Sequence, residues 1–238
     1  MKTLSLSHIT LLSASLLFSA GCVDRITAPD VLCGVTRNAS TDPLAHDPIL
    51  FVHGYGENAD FFCPMIDRFR ADGWAEHEIY AYNYSFVLSH ADNAEEIRKQ
   101  VDKILSDTKA AKVDIISHSA GSVSSRYYLK NLAGASEIDA WVSLAGPNHG
   151  TETAINCSLT PCIEIRIGSQ FLADLNAGDE TPGLVRYGTW WSPCDETIDP
   201  DASVSLAGAT NHQTACISHT ELLSDPVVYQ QVRDFLRN

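Results

Sequence analysis

Ser119 lies at the end of Val113-Asp-Ile-Ile-Ser-His-Ser-Ala-Gly121, where a β-branched run meets a cluster of small residues. A helical pattern through Val123, Tyr127 and Leu132 starts at once, so the stretch reads strand, sharp turn, helix. A serine at the tip of such a turn is exposed and strained, and its neighbours two positions away must be small. Ser117 and Gly121 meet that requirement, although the usual first glycine of the G-x-S-x-G pattern is here a serine. A serine hydroxyl attacks poorly until a histidine removes its proton and a carboxylate fixes that histidine's tautomer. Asp195 and His219 follow in the order serine, acid, base. Glu196, Asp199 and Asp201 compete for the acid, and His149 and His212 for the base. Asp195 is preferred because it directly follows a strand and Cys194; His149 precedes the acid and His212 lies well before the final helix.

Upstream, the apolar run Pro48 to Val52 leads into His53-Gly54-Tyr55-Gly56. Glycines there let the main chain approach a substrate oxygen, so the Tyr55 and Ala120 amides are the expected oxyanion donors. The helix starting at Ala120 would aim its dipole at the same point. His53 is expected to brace its loop rather than to react. His53, His118 and His149 are candidates to border the substrate.

The elements that must carry these groups alternate. Helical spacing runs from Ala59 to Asp72, from Asn93 to Thr108, from Ile167 to Leu175 and from Pro226 to Leu236. Strands are expected at Glu78 to Tyr84, Ile138 to Ala145, Val185 to Trp191 and Ala202 to Ala207. Repeated strand–helix units of this length imply an α/β fold, with a mostly parallel central sheet and helices on both faces. Pro147-Asn148-His149-Gly150-Thr151 would then sit at the carboxyl edge of the sheet, where ligands bind.

With 238 residues and 45% apolar composition, the chain suits one domain. A formal charge of -14, with sixteen scattered basic residues, argues against nucleic acid. Residues 1–22 read as an export signal: Lys2, the apolar stretch Ile9 to Phe18, then Ser19-Ala20-Gly21-Cys22. That ending resembles a bacterial lipobox, which would make Cys22 a lipidated anchor to the cell envelope, with Val23 favouring the outer membrane; simple secretion after cleavage near Gly21 is the alternative. Residues 23–47 are expected to be a tether or arm, and 48–238 the catalytic domain.

Setting Cys22 aside leaves an even set, as expected for disulfides in an exported chain. A bond between Cys194 and Cys216 would tie the acid loop to the base loop, leaving Cys157 with Cys162 and Cys33 with Cys63. No Cys/His spacing suggests a metal, and the acids near Asp199 and Asp201 lack a calcium-loop pattern. No cofactor is expected.

From Pro48 onward the chain resembles the small bacterial class 2 lipases of the α/β-hydrolase superfamily. The resemblance rests on Phe51-Val-His-Gly-Tyr-Gly56, Lys112 to Gly121, Arg126-Tyr-Tyr-Leu129, Ala145-Gly-Pro-Asn-His-Gly150 and His219-Thr-Glu-Leu-Leu223. It implies hydrolysis of carboxylic esters through an acyl-enzyme, without an organic cofactor. The expected partner is an ester or lipid substrate, and the chain is expected to be a monomer. Ser117 replaces a glycine or alanine common in the family, and Ala120-Gly-Ser122 replaces the more frequent Met-Gly-Gly. The cysteines and the segment after Gly150 depart from the smallest members. Polyester cleavage, acyl transfer and a non-catalytic surface scaffold are the alternatives.

Overall fold

A computed structural model describes residues 31–36 and 40–237. The segment expected to be an export signal, Cys22 and the first part of the expected arm lie outside the described residues. The arm enters as a two-residue antiparallel hairpin, β1 (Val31–Leu32) with β2 (Val35–Thr36). Cys33, in its turn, is disulfide-bonded to Cys63.

From residue 48 onward the chain is built on six parallel strands: β3 (Ile49–Val52), β4 (Ile79–Ala81), β5 (Val113–His118), β6 (Ile138–Leu144), β7 (Arg186–Trp191) and β8 (Thr210–Gln213). Their spatial order is β4-β3-β5-β6-β7-β8. The helices are α1 (Cys63–Ala71), α2 (His90–Thr108), α3 (Ala120–Asn131), α4 (Thr160–Glu164), α5 (Gln170–Asn176) and α6 (Pro226–Leu236).

Alternation along β3 divides the interior in two. Ile49 and Phe51 join Met65, Ile66 and Phe69 of α1 and Val228, Val232 and Leu236 of α6. Leu50 and Val52 join Ile97, Val101 and Ile104 of α2 and Tyr128 and Leu129 of α3. Both faces of the sheet are therefore covered at β3, which is why that strand reads as a continuous apolar run rather than an alternating one.

Three expected elements differ. The helix from Ala59 to Asp72 is split into a 3-10 turn, Ala59–Phe62, and α1, because Pro64 has no N–H to donate and fits only a helix's first turn. The strand from Glu78 to Tyr84 shortens to β4. Glu78 turns back to accept the backbone N–H groups of Ala45, His46 and Ala75, and the Tyr84 side chain leaves the sheet register to donate to His53 O. Ala202 to Ala207 is not a strand; Asp201–Val204 forms a 3-10 turn and the edge position goes to β8. Thr-Asn-His-Gln carries no apolar run, because an edge strand exposed to water needs none. His212 on that strand stacks on Trp190 at 4.5 Å between ring centres.

At the amino edge of the sheet, carboxylate oxygens of Asp47, Asp114 and Asp139 lie within 4.8 Å of one another. Burial, reinforced by the charges of Asp47 and Asp139, holds the Asp114 carboxyl well above its ordinary range, against the pull of Arg186. Its Oδ1 accepts the Ala140 N–H at 2.9 Å, and Arg186 is engaged with Asp139 at 2.5 Å. A carboxyl whose folded pKa is raised favours the native state at low pH, and that advantage is lost as pH rises through the folded value. Asp114→Asn keeps the acceptor and removes the charge. Thermal melts should show Tm raised by a few degrees at pH 7 to 8, with the gain disappearing near pH 3.

Candidate active site

The turn between β5 and α3 places Ser119 at φ 51° and ψ −132°, a region a non-glycine residue enters only under constraint. The constraint is main-chain: Ser119 N–H donates to Leu144 O at 2.9 Å, and Ser122 N–H donates to Ser119 O at 2.9 Å. The serine in the motif's first position is accommodated because the Ser117 hydroxyl donates to Val142 O at 2.7 Å, beside the Ser122 hydroxyl at 3.1 Å. No such room exists at Gly121, where a Cβ would stand 2.3 Å from His53 O and 2.6 Å from Val52 O. The elbow is therefore wedged against the end of β3. Gly54 is similarly tight: a Cβ there would meet both Ser119 Cβ and Glu57 Oε2 at 2.8 Å.

Ser119 opens into a cleft of about 380 Å3 whose lining includes Tyr55, Gly56, Phe61 and Ala120. Ala154, Cys157, Cys162 and Ile165 line it too, as do Thr197, Ile198, His219 and Thr220. Tyr55 and Ala120, whose amides are the expected oxyanion donors, thus flank the same space as Ser119.

His219 arrives on the loop after β8 and is 6% exposed. Its Nδ1–H donates to Asp195, 2.8 Å from Oδ2 and 3.0 Å from Oδ1. That bond leaves Nε2 as the ring acceptor. Asp195 Oδ1 also accepts the amides of Thr197 and Ile198 at 2.8 and 2.9 Å. Burial alone would raise the Asp195 carboxyl, but the hydrogen bond and charge of His219, with the two amides, hold it below its ordinary value. The rival acid Glu196 takes the His219 backbone N–H at 3.1 Å rather than its ring. Asp199 and Asp201 sit in the turn beyond, where Asp199 N–H donates to Thr151 Oγ1 at 3.1 Å.

The acid and base loops are joined twice. Cys194 is disulfide-bonded to Cys216. The Ser192 hydroxyl donates to Ile217 O at 2.5 Å and accepts the Cys194 and Ile217 amides. Changing both cysteines to serine should lower unfolding stability by about 3 kcal/mol in urea titration. The Ser192 bridge should keep kcat within about tenfold of the parent.

The remaining candidates divide. His53 is buried, donates from Nδ1 to Gly54 O at 2.9 Å and accepts the Tyr84 N–H at 3.3 Å. Burial keeps this ring below its ordinary pKa, and it stacks on Tyr84 at 4.0 Å. His118 is also buried and contacts Glu57 and the His219 carbonyl. His149 faces outward, bonded to Glu180 at 2.9 Å. Cys157 is disulfide-bonded to Cys162, closing a short loop in the cleft wall. The residue that sequence reasoning missed is Glu57. It directly follows the His-Gly-Tyr-Gly loop, but in a sequence it is indistinguishable from a solvated loop acid.

The family model described as lipase (class 2) matches residues 46–231. The chain belongs to the class 2 lipase family. The chain is similar in structure to the mature form of Bacillus licheniformis lipase BlEst2, with a TM-score of 0.72 and 15% identity over 82% of this chain and 96% of that one. It is also similar to Aspergillus fumigatus lipase B, with a TM-score of 0.70 and 16% identity over 81% of this chain and 53% of the other. A third likeness is to the carboxylesterase CesB of Bacillus subtilis, at a TM-score of 0.51 and 15% identity over 82% and 85%. At these identities the structures show a common α/β-hydrolase fold, and family membership makes the protein a hydrolase of ester bonds. The three disulfides among the described residues point to an exported protein. Among the described residues no helix is long and apolar enough to cross a membrane.

Proposed function

We propose that this lipase is an exported serine carboxylic-ester hydrolase working through an acyl-enzyme. Ser119 attacks the ester carbonyl, His219 Nε2 takes its proton and later returns it to the leaving alcohol, and Asp195 holds the imidazole in the required tautomer. The Tyr55 and Ala120 amides receive the oxyanion, each worth about 3 kcal/mol in the transition state. Water, activated by the same histidine, then releases the acid. The observation that carries this reading is the pairing of His219 with a buried Asp195 at the cleft into which the strained Ser119 opens.

The surroundings favour an apolar acyl or alcohol group. Tyr55 and Phe61 are exposed at the cleft, Phe86 packs against Tyr55 at 5.1 Å, and Leu159 and Ile163 are exposed on the segment around the Cys157–Cys162 bond. Lipidation of Cys22 would hold such a surface beside membrane lipid. Rapid mixing with a p-nitrophenyl ester tests the acyl-enzyme. A burst of nitrophenolate matching the enzyme concentration is expected. Direct transfer to water would instead leave no covalent acyl adduct in acid-quenched protein, and that result would refute the mechanism.

A further inference from the structure

Beside the Asp195–His219 pair lies a second carboxylate–histidine pair that the reaction scheme does not use. His118, immediately before the nucleophile, has both ring nitrogens facing acceptors. Its Nδ1 is 2.9 Å from both carboxylate oxygens of Glu57, and its Nε2 is 3.1 Å from the backbone carbonyl of His219. A neutral imidazole carries one N–H and can donate to only one of two such partners. Both side chains are withdrawn from water, at 0% exposure for His118 and 8% for Glu57, where an unmade hydrogen bond is costly.

We infer that His118 is held as an imidazolium in a buried ion pair with Glu57, and that the pair positions the oxyanion loop and the catalytic base relative to Ser119. Three contacts give the pair that reach. The Glu57 carboxylate accepts the Gly54 N–H at 2.7 Å, fixing the loop that carries the Tyr55 amide. His118 is covalently joined to the elbow through Ser119. Its Nε2–H grips the main chain of His219, the residue that must present Nε2 to the serine. One charge pair thus ties together the three separate segments on which the reaction depends.

The main alternative places a single proton between a protonated Glu57 and a neutral His118. Burial would favour it, but the hydrogen bond and charge of His118, with the Gly54 amide, keep the Glu57 carboxyl below its ordinary pKa. The ionisable groups around the pair are few. His53 lies on the β3 exit and His219 opposite, its ring centre 4.5 Å from that of His118; Asp195 and Glu196 stand behind His219. Glu57 and His118 are positioning residues, since the reacting atoms belong to Ser119 and His219.

The ring nitrogens of His118 report the pair directly. In 15N-labelled protein, with the ring assigned through its own backbone, both nitrogens should carry protons. Glu57→Gln, which keeps an acceptor for Gly54 N–H while removing the charge, should leave one His118 nitrogen bare. On p-nitrophenyl esters the same variant should lose kcat by about tenfold to a hundredfold, with KM within about twofold and an unchanged far-UV spectrum. A bare ring nitrogen on His118 in the unmodified protein at pH 7 would overturn the inference, as would parental kcat in Glu57→Gln. The kinetic arm rests on the serine-esterase reading, whereas the nitrogen signals need no substrate. Failure of the unmodified enzyme to cleave esters would therefore count against that reading alone.

Discussion

Ser119→Ala should lower kcat on p-nitrophenyl esters by roughly 10^6-fold while leaving the protein folded. The loss follows from chemistry: without the hydroxyl, neither proton transfer to His219 nor acylation has an atom to act through. The survival of the fold follows from the elbow's hydrogen bonds. The turn is pinned by Ser119 N–H on Leu144 O and by Ser122 N–H on Ser119 O, both main-chain contacts that alanine retains. The residue's positive φ is also shared by serine and alanine at equal steric cost. Thermal stability should change by less than about 0.5 kcal/mol. Residual turnover, if measured with active-site-titrated enzyme, reports binding and oxyanion stabilisation without the nucleophile.

Asp195→Asn should cost about 10^4-fold in kcat, again without unfolding. The reason lies in which oxygen does what. Oδ1 accepts the Thr197 and Ile198 amides, so the carbonyl oxygen of asparagine would remain there. Its NH2 group then replaces Oδ2, 2.8 Å from His219 Nδ1. An N–H facing Nδ1 makes that nitrogen an acceptor and moves the ring proton to Nε2, where it meets the serine proton instead of accepting it. KM should be little affected, because Asp195 lies behind the histidine rather than against the substrate. A comparable loss from Glu196→Gln would contradict this division of labour, since Glu196 touches the His219 backbone and not its ring.

Much of the fold was readable because a buried parallel sheet leaves strong marks. Ile49 to Val52, Val113 to Ile116 and Ile138 to Leu144 are mostly apolar, and each is followed by an abrupt change to small or polar residues. The last helix was equally plain: Asp225 accepts the Val227 and Val228 amides at 2.8 Å, Pro226 opens the helix, and Val228, Val232 and Leu236 form one face. The edge of the sheet was not legible. Ala202 to Ala207 has a strand's apolar content, but Val204 and Leu206 are buried from outside the sheet, while the true strand is Thr210–Gln213. Hydrophobic pattern records burial, and an edge strand is defined by its hydrogen bonds instead.

The candidate site shows the same division. Ser119 announces itself because its neighbours must be small, and the wedge of Gly121 against His53 O and Val52 O gives that requirement a cause. The structure joins Cys194 to Cys216, neighbours of the acid and base loops in the sequence. The pairing of Glu57 with His118 left no trace, since it depends on a contact between residues 61 positions apart. Likewise Arg126 appeared only as part of a family motif. It is fully buried and donates to Asn148 O and Leu175 O, so it anchors the loop after β6 to the end of α5.

The central claim is that Ser119 is the nucleophile. Treating the folded protein with a fluorophosphonate and mapping the adduct by peptide mass spectrometry tests it most directly. The account predicts stoichiometric modification of Ser119, with loss of ester hydrolysis in proportion. Folded protein that stays unlabelled, or that carries the phosphonate on another residue while Ser119 remains free, would contradict it.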